Sequence, residues 1–107
     1  MFIDMFIGSY WRLKKDFMPI LEQKGYIYSY KLKHNVSPAI EFKKGKKGLT
    51  IGYDYSEDYI YVNIHDSDDS DIHGITLVDE NTFSKKKFKH PYEEQLPIVK
   101  QILIKSL

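Results

Sequence analysis

The chain has 107 residues, 16 of them basic and 15 acidic, with 42% hydrophobic and 15% aromatic content and no cysteine. This length makes a single domain spanning residues 1–107, and the apolar fraction excludes a disordered chain. A formal net charge of +1 gives no overall pull toward nucleic acid or anionic membrane, and the missing cysteines exclude disulfide scaffolds and thiolate metal sites.

The opening stretch, MFIDMFIGSYWRLKKDF, is apolar but carries Asp4 and no basic leader. Neither a signal segment nor a spanning helix is expected there, and the protein reads as soluble and cytoplasmic. Residues 2–24 have helical spacing, with Phe2, Phe6, Tyr10, Leu13, Phe17 and Leu21 recurring every three to four positions. Pro19 predicts either a kink or two short helices with a break near residues 16–19. Gly25 suits a C-cap in the left-handed region.

YIYSYKLKH, residues 26–34, alternates as a strand, with Tyr26, Tyr28, Tyr30 and Leu32 on one face. A turn at 35–38 leads to AIEFKK, residues 39–44, with Ile40 and Phe42 on one side. KGKKG, residues 44–48, reads as a hairpin bend. LTIGYDY, residues 49–55, is a third strand with Leu49, Ile51, Tyr53 and Tyr55 together. After a short SED turn, YIYVNI, residues 59–64, is a fourth, with Ile60, Val62 and Ile64 inward and Tyr59 and Tyr61 on the other face. GITLVDE, residues 74–80, reads as a fifth strand or an edge segment. Residues 92–107 return to helical spacing through Leu96, Val99 and Leu103, with a regular helix expected to start near Pro97. The order is helix, antiparallel β-meander of four to five strands, then a C-terminal helix packed on one sheet face: an α+β domain.

Between the fourth and fifth strands, IHDSDDSDIHG packs Asp66, Asp68, Asp69 and Asp71 into six residues. Counted from Asp69, a calcium loop would place Asp71 third, His73 fifth, Gly74 sixth and Glu80 twelfth. The histidine is a poor ligand for a hard cation, and the flanks read as strands where that motif requires helices. His65 and His73 stand at no zinc spacing. No metal or cofactor is therefore expected. Three readings stay open for the loop: weak adventitious cation binding, since clustered carboxylates attract cations generally, a solvated turn, since Asp and Ser bond nearby backbone, and an acidic face for a basic partner. In the last reading Glu57 and Asp58 add to the field of Asp66, Asp68, Asp69 and Asp71, and Tyr59 and Tyr61 are aromatic anchors.

KKGKKG at 43–48 and KKKFKH at 85–90 are the positive counterpart. Lys43, Lys44, Lys46, Lys47, Lys85, Lys86 and Lys87 form an alternative set that would bind nucleic-acid phosphates. The glycine- and aromatic-rich signature of RNA-recognition domains is absent. A plainer role for such lysines is to keep hairpin tips and sheet edges soluble. No nucleophile–base pattern, Gly-rich phosphate loop, HExxH or GxSxG occurs, so no catalytic residue is nominated and an enzyme is not expected.

FMPILEQKGYIYSY followed by SPAIEFKKGKKGLTIGYDYSEDYIYVNI resembles the small bacterial immunity proteins, including those of contact-dependent growth inhibition systems. The resemblance covers residues 17–64 and is one of hydrophobic pattern. It implies an inhibitor that binds a cognate toxin domain, often a nuclease, and blocks its active site without catalytic residues of its own. The alternatives are the nucleic-acid-binding module and a structural or oligomeric domain.

Overall fold

The computed structural model describes residues 2–33, 38–66, 75–83 and 87–107, with side chains for all of these except 2–9, 30–33, 66 and 80. Helix α1 (Phe2–Gln23) precedes strands β1 (Ile27–Lys33), β2 (Ala39–Lys44), β3 (Lys47–Asp54), β4 (Tyr59–Asp66) and β5 (Ile75–Val78). A 3₁₀ turn (Glu80–Phe83) leads to helix α2 (Pro91–Ser106). The five strands form one antiparallel sheet in the order β1-β2-β3-β4-β5, so the architecture is α+β. The radius of gyration, 13.1 Å, is that of a compact chain of this length.

Alternation along the strands selects the packed face. Ile40 and Phe42 of β2, Leu49, Ile51 and Tyr53 of β3, and Ile60 and Val62 of β4 are all buried in one core with both helices. Ile64 packs partly against the same core. From α1 that core receives Leu13, Phe17 and Leu21, each 0% exposed, and burial stabilises each by roughly 2 kcal/mol. α2 contributes Tyr92, Gln95, Val99 and Leu103.

Of the two alternatives at Pro19 the break into two helices does not occur, and Pro97 does not start α2. α1 is one helix through Pro19. Proline removes one intrahelical bond there, but Phe17 and Leu21 on either side are held in the same core, so the turn is kept. α2 begins at Pro91 in its first turn, and Pro97 lies inside it. Buried Tyr92 and Gln95 hold the turns before Pro97 against the sheet. The Glu94 carboxylate also accepts the His90 backbone N–H at 2.7 Å, satisfying a donor at the helix entry.

Gly25 closes α1 as expected. Its φ is +90°, Tyr26 N–H donates to the Leu21 carbonyl at 2.8 Å and Gly25 N–H to that of Glu22 at 3.0 Å, the paired bonds of a Schellman motif. At the β2–β3 bend Gly45 has φ +60°, as the first residue of a two-residue hairpin of this hand requires. The pairing of β1 with β2 shifts between Tyr28 and Leu32, so the even alternation expected for the first strand is interrupted there. Among the described residues no helix is long and apolar enough to cross a membrane.

The two helices run in the same direction. Arg12 meets Glu93 at 2.8 Å near the start of α2, and Lys24 donates to the Ile104 carbonyl at 3.0 Å near its end. One end of the molecule therefore holds the β3–β4 turn and the start of α2. The other holds the β2–β3 hairpin and both helix C-termini.

Candidate functional site

The β3–β4 turn is rigidly built. Asp54 accepts the Ser56 backbone N–H at 2.9 Å, the Ser56 hydroxyl at 2.6 Å and the Glu57 N–H at 3.2 Å. Asp58 holds a positive φ of 55°. The fully buried Gln95 fixes that conformation from α2. Its Nε2 donates to the Asp58 carbonyl and its Oε1 accepts the Ile60 N–H, both at 2.8 Å. Glu57 and Asp58 are thereby presented outward on a turn that cannot relax without losing these bonds.

Beside this turn lies a cleft of about 240 Å³, lined by Arg12, Tyr53, Tyr55, Lys89, His90, Tyr92 and Glu93. Its aromatic wall is continuous. Tyr55 and Tyr53 meet edge to face at 5.0 Å, Tyr53 and Tyr92 at 5.8 Å, and the Arg12 guanidinium sits 4.0 Å above the Tyr92 ring. Arg12 is also paired with Glu93. Burial pushes the Tyr92 hydroxyl well above the ordinary tyrosine range, and its 2.8 Å bond to the Asp16 carboxylate adds to this. Burial likewise raises Tyr53, whose hydroxyl donates to Asp58 at 3.3 Å. Both phenols therefore stay neutral donors at physiological pH. Tyr55, 38% exposed, is the ring that this wall offers to solvent.

The charged lining of the cleft is mixed, with Arg12 and Lys89 beside Glu93, and its acidic neighbours are on the β3–β4 turn. Asp54, Glu57 and Asp58 lie on the adjacent turn, and Glu93 and Glu94 on the first turn of α2. The opposite end carries Lys24, Lys43, Lys44, Lys46, Lys47 and Lys105. A net charge of +1 thus conceals a lysine cluster at the hairpin end.

The acidic residues singled out in the sequence do not form one patch. Glu57 and Asp58 precede β4, and Asp66 closes it, eight residues away in an extended strand. Asp66 pairs in register with Lys47, at the basic end. Asp68, Asp69 and Asp71 lie outside the described residues, as do Lys85 and Lys86, and also His73 and Gly74 of the weighed calcium loop. Lys87 sits exposed on the segment entering α2, apart from Lys43, Lys44, Lys46 and Lys47 on the hairpin.

Tyr59 and Tyr61 pair at 6.2 Å, and Tyr59 also packs partly against the core. The Tyr61 ring occupies the space that a Cβ on Gly52 would need. The His65 ring fills the corresponding space at Gly48. These glycines in mid-strand mark the close approach of a ring to backbone. On the same sheet face Glu41, Thr50 and His65 are buried together. His65 Nε2 lies 3.1 Å from the Thr50 hydroxyl and 3.7 Å from the Glu41 carboxylate. The Ser29 hydroxyl donates to the Glu41 backbone carbonyl at 3.0 Å. Hydroxyl and carboxylate meet the same ring nitrogen, whereas a nucleophile–base–acid triad needs them on opposite nitrogens.

Among the described residues no group of three or more His, Asp or Glu side chains is placed to hold a metal ion. No protein-family model, curated protein or solved structure matches the chain.

The residues that sequence reasoning missed are Arg12, Tyr53, Tyr55, Tyr92 and Gln95. Tyr53 was read only as strand packing, and Arg12 and Tyr92 are 80 positions apart in the chain. One signal was present: Gln95 falls on the apolar stripe of α2, where a polar residue demands a partner.

Proposed function

We propose that this protein is a binding protein whose acidic, aromatic-lined end engages a basic partner, and that it serves as a bacterial immunity-type inhibitor of a cognate toxin domain. The observation that carries this reading is the cleft itself. Three tyrosines and an arginine, residue types enriched at binding hot spots, are pre-ordered beside a rigid acidic turn. Pre-ordering lowers the entropy lost on association, and the carboxylates of the adjacent turn, Asp54, Glu57 and Asp58, attract a cationic surface. A nuclease domain, basic because it holds phosphates, is such a surface. Inhibition by occlusion needs no catalytic residue, and we place it in the cytoplasm, where a toxin would act on its target.

The test is affinity capture from source-cell lysate with four baits: wild type, Tyr55→Ala/Glu57→Gln, Lys46→Gln, and the loop variant with Asp66, Asp68, Asp69 and Asp71 changed to Asn. One stoichiometric basic protein should come down with wild type and Lys46→Gln and be depleted by Tyr55→Ala/Glu57→Gln. Purified, it should lose its enzymatic activity on addition of one equivalent of this protein, with an association rate that falls as salt rises. Depletion by the loop variant alone would move the interface to the acidic stretch that follows β4. A captured protein whose activity is unaffected would rule out the inhibitor role.

A further inference from the structure

The β2–β3 hairpin breaks a rule of sheet pairing. Lys44 and Lys47 are directly opposed in register across its two-residue bend, and like charges placed so destabilise a sheet. Lys43 and Lys46 bring two more cations to the same bend, while Asp66, in register with Lys47, sets one acidic position against the four. A single lysine already protects a hairpin tip from edge pairing. The opposed pair adds repulsion, and local rules broken in this way are characteristic of functional sites.

Lys44, Lys46 and Lys47 also share a concavity. With Tyr26 and Ser106 they line a groove of about 380 Å³. Lys44 is drawn inward, its Nζ 5.7 Å from the centre of the Tyr26 ring. Its stem lies close against Gly25, where a Cβ would come within 3.1 Å of its Cε. One ammonium is thus already held at the groove, and two others lie on the bend beside it.

We propose that this groove binds a phosphate-bearing anion. Its oxygens accept hydrogen bonds from the three ammonium groups and the Ser106 hydroxyl, and its charge removes the repulsion between Lys44 and Lys47. The site is at the opposite end from the tyrosine-lined cleft, so it stands or falls independently of the inhibitor reading. A free polyphosphate and a nucleic-acid strand offer the same chemistry, and the experiment separates them.

The probes are inorganic pyrophosphate and a labelled twelve-nucleotide oligo-dT. Pyrophosphate should shift the amide resonances of Gly45 and Gly48 and raise Tm above the value in chloride of equal ionic strength. Lys47→Gln should raise Tm of the free protein by removing the opposed pair. Lys46→Gln/Lys47→Gln should weaken pyrophosphate by about tenfold, as loss of charge-assisted bonds does. Lys87→Gln, the same charge change elsewhere, should leave affinity within about twofold, the scale of a distant screened charge. Oligo-dT displaced by pyrophosphate, with the same variant sensitivity, supports the site and names a strand as its ligand. Pyrophosphate binding without oligo-dT binding supports it and names a small phosphate. Equal weakening by all the lysine variants, or no shift at Gly45 and Gly48, overturns the proposal.

Discussion

Gln95 shows how much one buried side chain can organise. Its amide satisfies a carbonyl of the β3–β4 turn and the first inward N–H of β4 at once. Gln95→Leu keeps the volume but leaves both backbone groups unpaired in the core, at a cost of roughly 1–3 kcal/mol for each buried group. Chemical denaturation should show this loss. Amide exchange at Ile60 should rise with it, because that N–H loses its hydrogen bond to the Gln95 side chain. Tyr92 makes a pH prediction. Its hydroxyl is raised above the ordinary value near 10, first by burial and then by Asp16. In the unfolded chain it ionises near pH 10. Above that pH the unfolded state has fewer bound protons than the folded one, so stability is full below pH 10 and falls as pH rises beyond it. Tyr53 acts in the same direction. Tyr92→Phe should lose about 1 kcal/mol at pH 7 with the hydrogen bond to Asp16. That difference should shrink above pH 10, read from denaturation midpoints in a pH series.

At the level of elements, period-two alternation was legible because it follows directly from the pleat. Ile40 with Phe42, Leu49 with Ile51 and Tyr53, and Ile60 with Val62 all face the core as their spacing predicts. The ends of α2 were less legible. Proline at 97 looked like a start, yet Pro91 is the start, because either position satisfies the local rule and only packing against the sheet chooses between them. The C-cap of α1 was plain from Gly25 alone. Gly25→Ala should destabilise by about 1 kcal/mol, since alanine must adopt φ +90° and its Cβ would press on the Lys44 stem. Thermal denaturation should show it, and a replacement by Asn, which tolerates that region better, should lose less.

For the whole molecule, the parallel course of α1 and α2 is the decisive fact. It places both helix C-termini beside the lysines of the hairpin, and the start of α2 beside the acidic turn. Cations near C-termini and carboxylates near an N-terminus complement the helix dipoles, so the same arrangement that stabilises the fold also gathers the lysine cluster at the hairpin end. By itself the sequence determined the α+β class, the meander order, the inward residues of the three central strands and the absence of recognised catalytic motifs. These are local properties, set by alternation, caps and turn residues. Only the tertiary structure decided that Glu57 and Asp66 lie at opposite ends, and that Arg12 stacks on Tyr92. It also decided that Glu41, Thr50 and His65 are buried together on the second sheet face. Such facts depend on strand register and helix direction, which bring distant positions together through burial of apolar surface, a force that carries no record of sequence spacing.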